Sequence, residues 1–217
     1  TAEAQTAATP ARSGYEDMSP QTQAMQRDDA LNPGLLWVQD GASLWVRPQG
    51  EAQRACSDCH GDATTAMHGV AARYPAYDTT TGGAVNLSQR INLCRQRHQR
   101  APPWAPEGQP LLALESYVAH QSRGLPMAPA ADPRLDAARA RGAALFRQRI
   151  GQLDLSCAQC HDERAGLRLG GSTIPQGRTN GYPVYRLEWQ GLGSLQRRLR
   201  NCMTGVRAEP HAYASQA

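Results

Sequence analysis

Two pentapeptides of the form Cys-x-x-Cys-His occur in this chain, Cys56-Ser57-Asp58-Cys59-His60 and Cys157-Ala158-Gln159-Cys160-His161. Each sets two thiols three positions apart with an imidazole directly after them. That arrangement suits the covalent capture of a c-type haem, because both thiols reach vinyl groups along one porphyrin edge while the histidine stands under the iron. A redox dithiol or half of a zinc site would share part of a single copy. Two copies in matching surroundings predict two covalently bound haem c groups. Cys56, Cys59, Cys157 and Cys160 are then the attachment thiols, and His60 and His161 the proximal metal ligands.

The surroundings match on both sides of the motifs. Gly41-Ala42-Ser43-Leu44-Trp45 begins fifteen residues before Cys56, and Gly142-Ala143-Ala144-Leu145-Phe146 begins fifteen residues before Cys157. Downstream, Arg90 stands four residues ahead of Cys94 and Arg198 four residues ahead of Cys202. The pattern reads as an internal duplication. The interval from haem histidine to the later cysteine is 34 residues in the first half and 41 in the second, which an insertion at Leu169 to Gly177 would explain.

The group opposite each histidine decides the chemistry of the iron. Met67, Met127, Met203, His68, His98, His120 and His211 are available, but none recurs at equivalent places in both halves. Cys94 and Cys202 do recur. They could form a disulfide with each other, or each could be the distal metal ligand of its own haem, and corresponding positions in two separate haem domains favour the second. Thiolate ligation would stabilise ferric iron and make poor simple electron carriers. Arg197, Arg198 and Arg200 cluster just before Cys202. They suit a small anion, or they form a solvated helix face.

The elements that must position these groups are read more coarsely. A chain of 217 residues with one phenylalanine and 40% apolar residues leaves two small domains with thin protein cores, and buried porphyrin would supply apolar mass. The formal charge of +4 comes from arginine without any lysine, and its dispersal gives no nucleic-acid surface. No stretch approaches the roughly 18 apolar residues of a membrane span. Thr1 to Pro10 does not look like a secretory leader. Haem attachment to such motifs takes place outside the bacterial cytoplasm, so a mature product of the periplasm is expected.

The expected fold class is all-α: two cytochrome c-like domains related by internal duplication, with long ordered loops and little strand. Residues 1–30 form an N-terminal arm, 31–127 the first haem domain, 128–133 a linker and 134–217 the second haem domain, which carries the active site. Gly41 to Val46 should begin the first helix. Leu111 to Ala119 forms a packed helix, Asp136 to Arg149 another, and Gly170 to Pro183 a long loop. The packed helix begins 17 residues after Cys94, so its counterpart would begin near position 219, beyond Ala217. Either the second domain lacks its closing helix or the sequence is a truncation of a longer protein, and truncation is the expected reason.

The paired haem motifs, Cys94 and Cys202, Arg73-Tyr74-Pro75-Ala76-Tyr77, Gly170 to Gly177, Tyr185 to Gln196 and above all Arg198 through Pro210 resemble the A subunits of SoxAX cytochromes from sulfur-oxidising bacteria. The resemblance covers roughly residues 30 to 214. It implies an L-cysteine S-thiosulfotransferase that joins thiosulfate oxidatively to a cysteine of a SoxYZ-like carrier protein. Two electrons would leave through haem to a SoxX-like monohaem cytochrome c, the partner in a heterodimer. By position, Cys202 would be both distal ligand and catalytic residue, carrying a persulfide or thiosulfonate. Arg198 would bind the sulfonate of the substrate, and Arg200 and Arg207 would either add to the positive field or be surface charge. Cys94 would be the distal ligand of a first haem whose role the resemblance leaves open. Two other function classes stand beside this one: a thiosulfate dehydrogenase forming tetrathionate, and a plain dihaem electron carrier.

Overall fold

The computed structural model describes residues 10–215. The segment expected as a plain arm carries a 3-10 turn, Gly14–Asp17, closed by a reciprocal Ser13–Glu16 capping box. Helix α1 follows at Pro20–Arg27, with Ser19 accepting from the Thr22 N–H. The next helix, α2, spans Gly34–Trp45, so it begins seven residues earlier than the expected start at Gly41. Asn32 accepts the Gly34 N–H at 2.9 Å, satisfying a donor that the first turn would otherwise leave free.

Short helix α3, Ser57–His60, carries the first motif, and α4, Ala63–Ala66, follows it. A two-stranded antiparallel ribbon then joins β1, Ala76–Asp78, to β2, Gly83–Val85. Helix α5, Leu87–Cys94, starts on an Asn86–Gln89 capping box and continues into a π-turn, Arg95–Gln99. Helix α6 runs Gln109–His120 with Leu111, Leu112, Ala113, Leu114 and Val118 buried. It packs along α2, and the contact is close at Gly41: a Cβ there would meet the Ala113 carbonyl oxygen at 2.2 Å. The apolar core gathers Trp45, Ala63, Met67, Leu87, Ile91, Leu111, Leu114 and Val118, all from the first half. Met67 is therefore a core side chain.

In the second half α7 spans Asp136–Arg147, two residues shorter at its end than expected. Helix α8, Cys157–His161, carries the second motif behind a Ser156–Gln159 capping box. The long glycine-rich stretch holds a small ribbon, β3 Arg168–Leu169 with β4 Ser172–Thr173, before its open loop. A third ribbon pairs β5, Val184–Arg186, with β6, Gly191–Gly193. Helix α9, Leu195–Gly205, completes the order, with Ser194 capping the Arg197 N–H. The fold is cytochrome c-like and mostly helical, and among the described residues its named strands form these three ribbons.

Both Cys-x-x-Cys-His motifs are approached through the same kind of turn. Bridges Gln49–Arg54 and Ile150–Leu155 enclose Gly50 (φ 67°) and Gly151 (φ 71°). A Cβ at Gly50 would strike the Gln99 carbonyl at 2.0 Å, and one at Gly151 the Val206 carbonyl at 2.1 Å. Glycine is required twice over, by the left-handed backbone and by the close approach. Each lead-in turn is thereby seated against the segment that follows Cys94 or Cys202.

Candidate functional site

His161 is oriented from behind and faced from the front. Its Nδ1 donates to the Pro175 carbonyl oxygen at 2.8 Å, which leaves Nε2 to meet another partner. Gly177 lies against the same ring, 3.2 Å from the His161 Cβ if it bore a Cβ of its own. From the facing side, the half-buried Cys202 thiol on α9 hydrogen-bonds the imidazole. That bond is the largest influence holding Cys202 below the ordinary thiol value; burial opposes it, and Arg198 and Arg186 add to it. His161 is raised in turn, mainly by Cys202.

The donor set fits haem c. Two thiols, Cys157 and Cys160, and His161 stand on one helical turn, and a further donor, Cys202, is brought to His161 by α9. All six cysteines are free, and Cys94 and Cys202 lie in different clusters, so the alternative of a disulfide between them is not formed. In the first half the half-buried Cys94 sits beside Cys56 and Cys59. Burial, then the neighbouring Cys94, pushes the Cys56 thiol up to about 11. The Trp45 ring lies 5.7 Å from the His60 ring, and its Nε1 donates to the Gly61 carbonyl at 3.0 Å.

The arginine cluster separates by helical geometry. Arg198 is one turn ahead of Cys202 and shares its face of α9. Arg197 turns to the Trp189 ring, 4.3 Å away. Arg200 hydrogen-bonds the His211 carbonyl and stacks on Tyr213. Arg207 is exposed at φ 58°. Among the described residues no carboxylate pairs with Arg198. The first half differs: buried Asp78 accepts from Arg90 at 2.7 Å and from Arg97 at 3.1 Å. These hydrogen bonds, Arg97's first, hold the Asp78 carboxyl well below the usual carboxylate range.

Sequence reasoning missed Asp78, Arg97 and Arg186 as neighbours of the two later cysteines. A signal existed. Tyr74-Pro75 and Tyr182-Pro183, Arg90 and Arg198, and Cys94 and Cys202 are all 108 residues apart, and on the same offset Asp78 falls opposite Arg186. Met127 is 47% exposed, and His68, His98 and His211 are exposed.

The family model for the cytochrome c domain of SoxA/TsdA matches residues 40–127. The L-cysteine S-thiosulfotransferase subunit SoxA of Rhodovulum sulfidophilum is 36% identical across 94% of this chain and 71% of that protein. Its namesake from Pseudaminobacter salicylatoxidans is 35% identical across 94% of this chain and 72% of that one. The crystal structure of SoxXA from P. pantotrophus superposes with a TM-score of 0.90 at 29% identity, covering 95% of this chain and 78% of that chain.

Proposed function

The chain belongs to the SoxA family of L-cysteine S-thiosulfotransferase subunits, and from that premise we propose a role for each residue of the site. It is a haem c enzyme subunit that conjugates thiosulfate to a protein cysteine. The reading adds two haems, one for each motif, in two cytochrome c-like domains related by duplication, residues 31–127 and 134–217, behind an arm (1–30) and joined by a linker (128–133). Cys56, Cys59 and Cys157, Cys160 are the attachment thiols. His60 with Cys94, and His161 with Cys202, would hold the two haem irons.

Haem c, when bound, supplies the redox centre that takes up the electrons of the conjugation. The remaining work belongs to side chains. Arg198 binds the sulfonate end of thiosulfate through its guanidinium fork. Its four-residue spacing from Cys202 presents the sulfane sulfur to Sγ. The Pro175 carbonyl holds the Nδ1 proton of His161, which keeps the ring orientation fixed. The overall reaction forms a bond between the carrier cysteine sulfur and the sulfane sulfur of thiosulfate, breaks the thiol S–H bond, and releases one proton and two electrons. A SoxX-like monohaem cytochrome c in a heterodimer receives the electrons, and a SoxYZ-like carrier in the periplasm receives the sulfur. Among the described residues no helix is long and apolar enough to cross a membrane.

The observation that carries this reading is Cys202 facing His161 on the same helical face as the unpaired Arg198. The test is thiosulfate-dependent cytochrome reduction with and without carrier. Reduction that requires the carrier and is lost in Cys202→Ala, with haem content retained, is the expected result. Equal rates without carrier would sink the conjugating reaction and favour coupling of two thiosulfates into tetrathionate.

A further inference from the structure

We propose that Gln176 is a positioning residue for His161, held in place by the N-terminal segment, an inference that rests on His161 holding the iron of the second haem. The Gln176 side-chain amide is bonded at both ends by one stretch of backbone 164 to 166 residues away. The Arg12 N–H donates to its Oε1 at 2.8 Å, and its Nε2 donates to the Pro10 carbonyl at 2.9 Å. Donor meets acceptor in each bond, so a single orientation of the amide serves both. Its backbone lies between the two residues that touch the imidazole. Pro175, just before it, accepts from His161 Nδ1 at 2.8 Å, and Gly177, just after it, lies against the ring.

The two flanks of Pro175 are held differently. Ahead of it the chain is pinned at the β3–β4 ribbon, where the Gly166 N–H donates to the Ile174 carbonyl and the Ile174 N–H to the Leu167 carbonyl, both at 2.8 Å. Beyond it, from Gln176 to Gly181, the Gln176 side chain makes the only hydrogen bonds among the described residues. A peptide plane fixed on one flank can swing, and the bonds from Pro10 and Arg12 fix the other flank.

The N-terminal segment is itself tied down. Arg12 pairs with Glu16 at 3.1 Å and with Asp17 at 3.3 Å. The Tyr15 carbonyl accepts from Gln23 on α1 at 2.9 Å. Farther along, Asp29 pairs with Arg123, just beyond α6, at 2.7 Å. The segment expected as a plain arm thus runs as a strap from the first half to the loop behind His161. The first half has no counterpart. Its interval from haem histidine to later cysteine is 34 residues against 41, and among the described residues no carbonyl accepts from the His60 ring, which packs on Trp45. The device belongs to the half that carries Cys202.

An imidazole that donates Nδ1–H to a fixed acceptor is a stronger ligand through its other nitrogen, and a stronger ligand favours ferric iron. Loosening the Pro175 carbonyl should therefore move the midpoint potential of the second haem to more positive values.

The experiment uses the haem-loaded heterodimer with Gln176→Ala, with residues 1–12 deleted, and with both changes together. Haem stoichiometry by mass and pyridine haemochrome comes first: an empty second motif in the unaltered protein would overturn the haem reading and this proposal with it. Ferric electron paramagnetic resonance spectra and redox titration then follow both haems, the first serving as internal control. The expected result is that either single change shifts the g values of the second haem and raises its potential, while the first haem stays as it was. The combined variant should shift no further than either single one, because both changes break the same two bonds. An unaltered second haem in both single variants overturns the proposal, and so do shifts that add in the combined variant. If Gln176→Ala does not accumulate, an unaltered second haem in the deletion variant overturns it alone.

Discussion

Asp78 Oδ2 lies 2.7 Å from a guanidinium nitrogen of Arg90, and this contact distinguishes the first cysteine cluster from the second. Arg90 stands four residues before Cys94 as Arg198 stands four residues before Cys202. The single carboxylate of Asp78 is shared by Arg90 and Arg97; Arg198 has no carboxylate partner among the described residues, while Arg186, the other guanidinium near Cys202, is paired with Glu188 at 2.7 Å. On the proposed reading, Arg198, without a carboxylate partner among the described residues, is the group that draws an anionic substrate to Cys202.

Arg198→Ala should raise the KM for thiosulfate roughly 10- to 100-fold, the loss of one charge-assisted anion contact. Arg90→Ala should leave that KM near its unaltered value while lowering the thermal midpoint, because it strips a partner from buried Asp78. Steady-state kinetics with carrier in excess checks both. Equal KM effects from the two variants would contradict the assignment.

Gly41→Ala should destabilise the protein by about 1–3 kcal/mol, because its Cβ would overlap the Ala113 carbonyl and the α2–α6 contact must open. Gly142→Ala is the control. A Cβ at Gly142 meets nothing within 4 Å, so this change inside α7 should be neutral or stabilising by up to about 1 kcal/mol. Urea denaturation followed by circular dichroism separates them.

Folding raises the Glu115 carboxyl from 4.5 to about 7, through burial first and Glu107 second, and its Oε2 is buried without a partner. Within that window the folded protein holds a proton that the unfolded chain releases. Stability conferred by this site therefore falls as pH rises from about 4.5 to about 7 and levels off above it. Glu115→Gln should remove that slope and add up to about 3 kcal/mol at pH 8. Denaturation curves at several pH values test it, and parallel slopes in the two proteins would refute it.

Gly177 and Gly170 have φ values of 66° and 58°, so alanine costs about 1–2 kcal/mol of backbone strain at either. Only Gly177 touches His161. Gly177→Ala should shift the absorption spectrum and potential of the second haem, while Gly170→Ala should lower stability alone. Spectra of the two purified variants decide the matter.

Local chemistry was legible in the amino-acid order. The spacing of Cys157, Cys160 and His161 is a property of one helical turn, and the four-position spacing of Arg198 and Cys202 places both on one face of any helix that contains them. The Leu111–Ala119 helix was likewise readable from its apolar period. The start of α2 at Gly34 was not, because it depends on an Asn32 side chain satisfying one N–H. Nor were the neighbours of Arg90 and Gln176, since Asp78 and Arg12 lie 12 and 164 residues away along the chain. Which of three adjacent arginines would reach Cys202, and which would turn to Trp189 or Tyr213, depended on aromatic rings brought close only by folding. Spacing decides which residues share a face; tertiary packing decides which charge on that face remains unpaired.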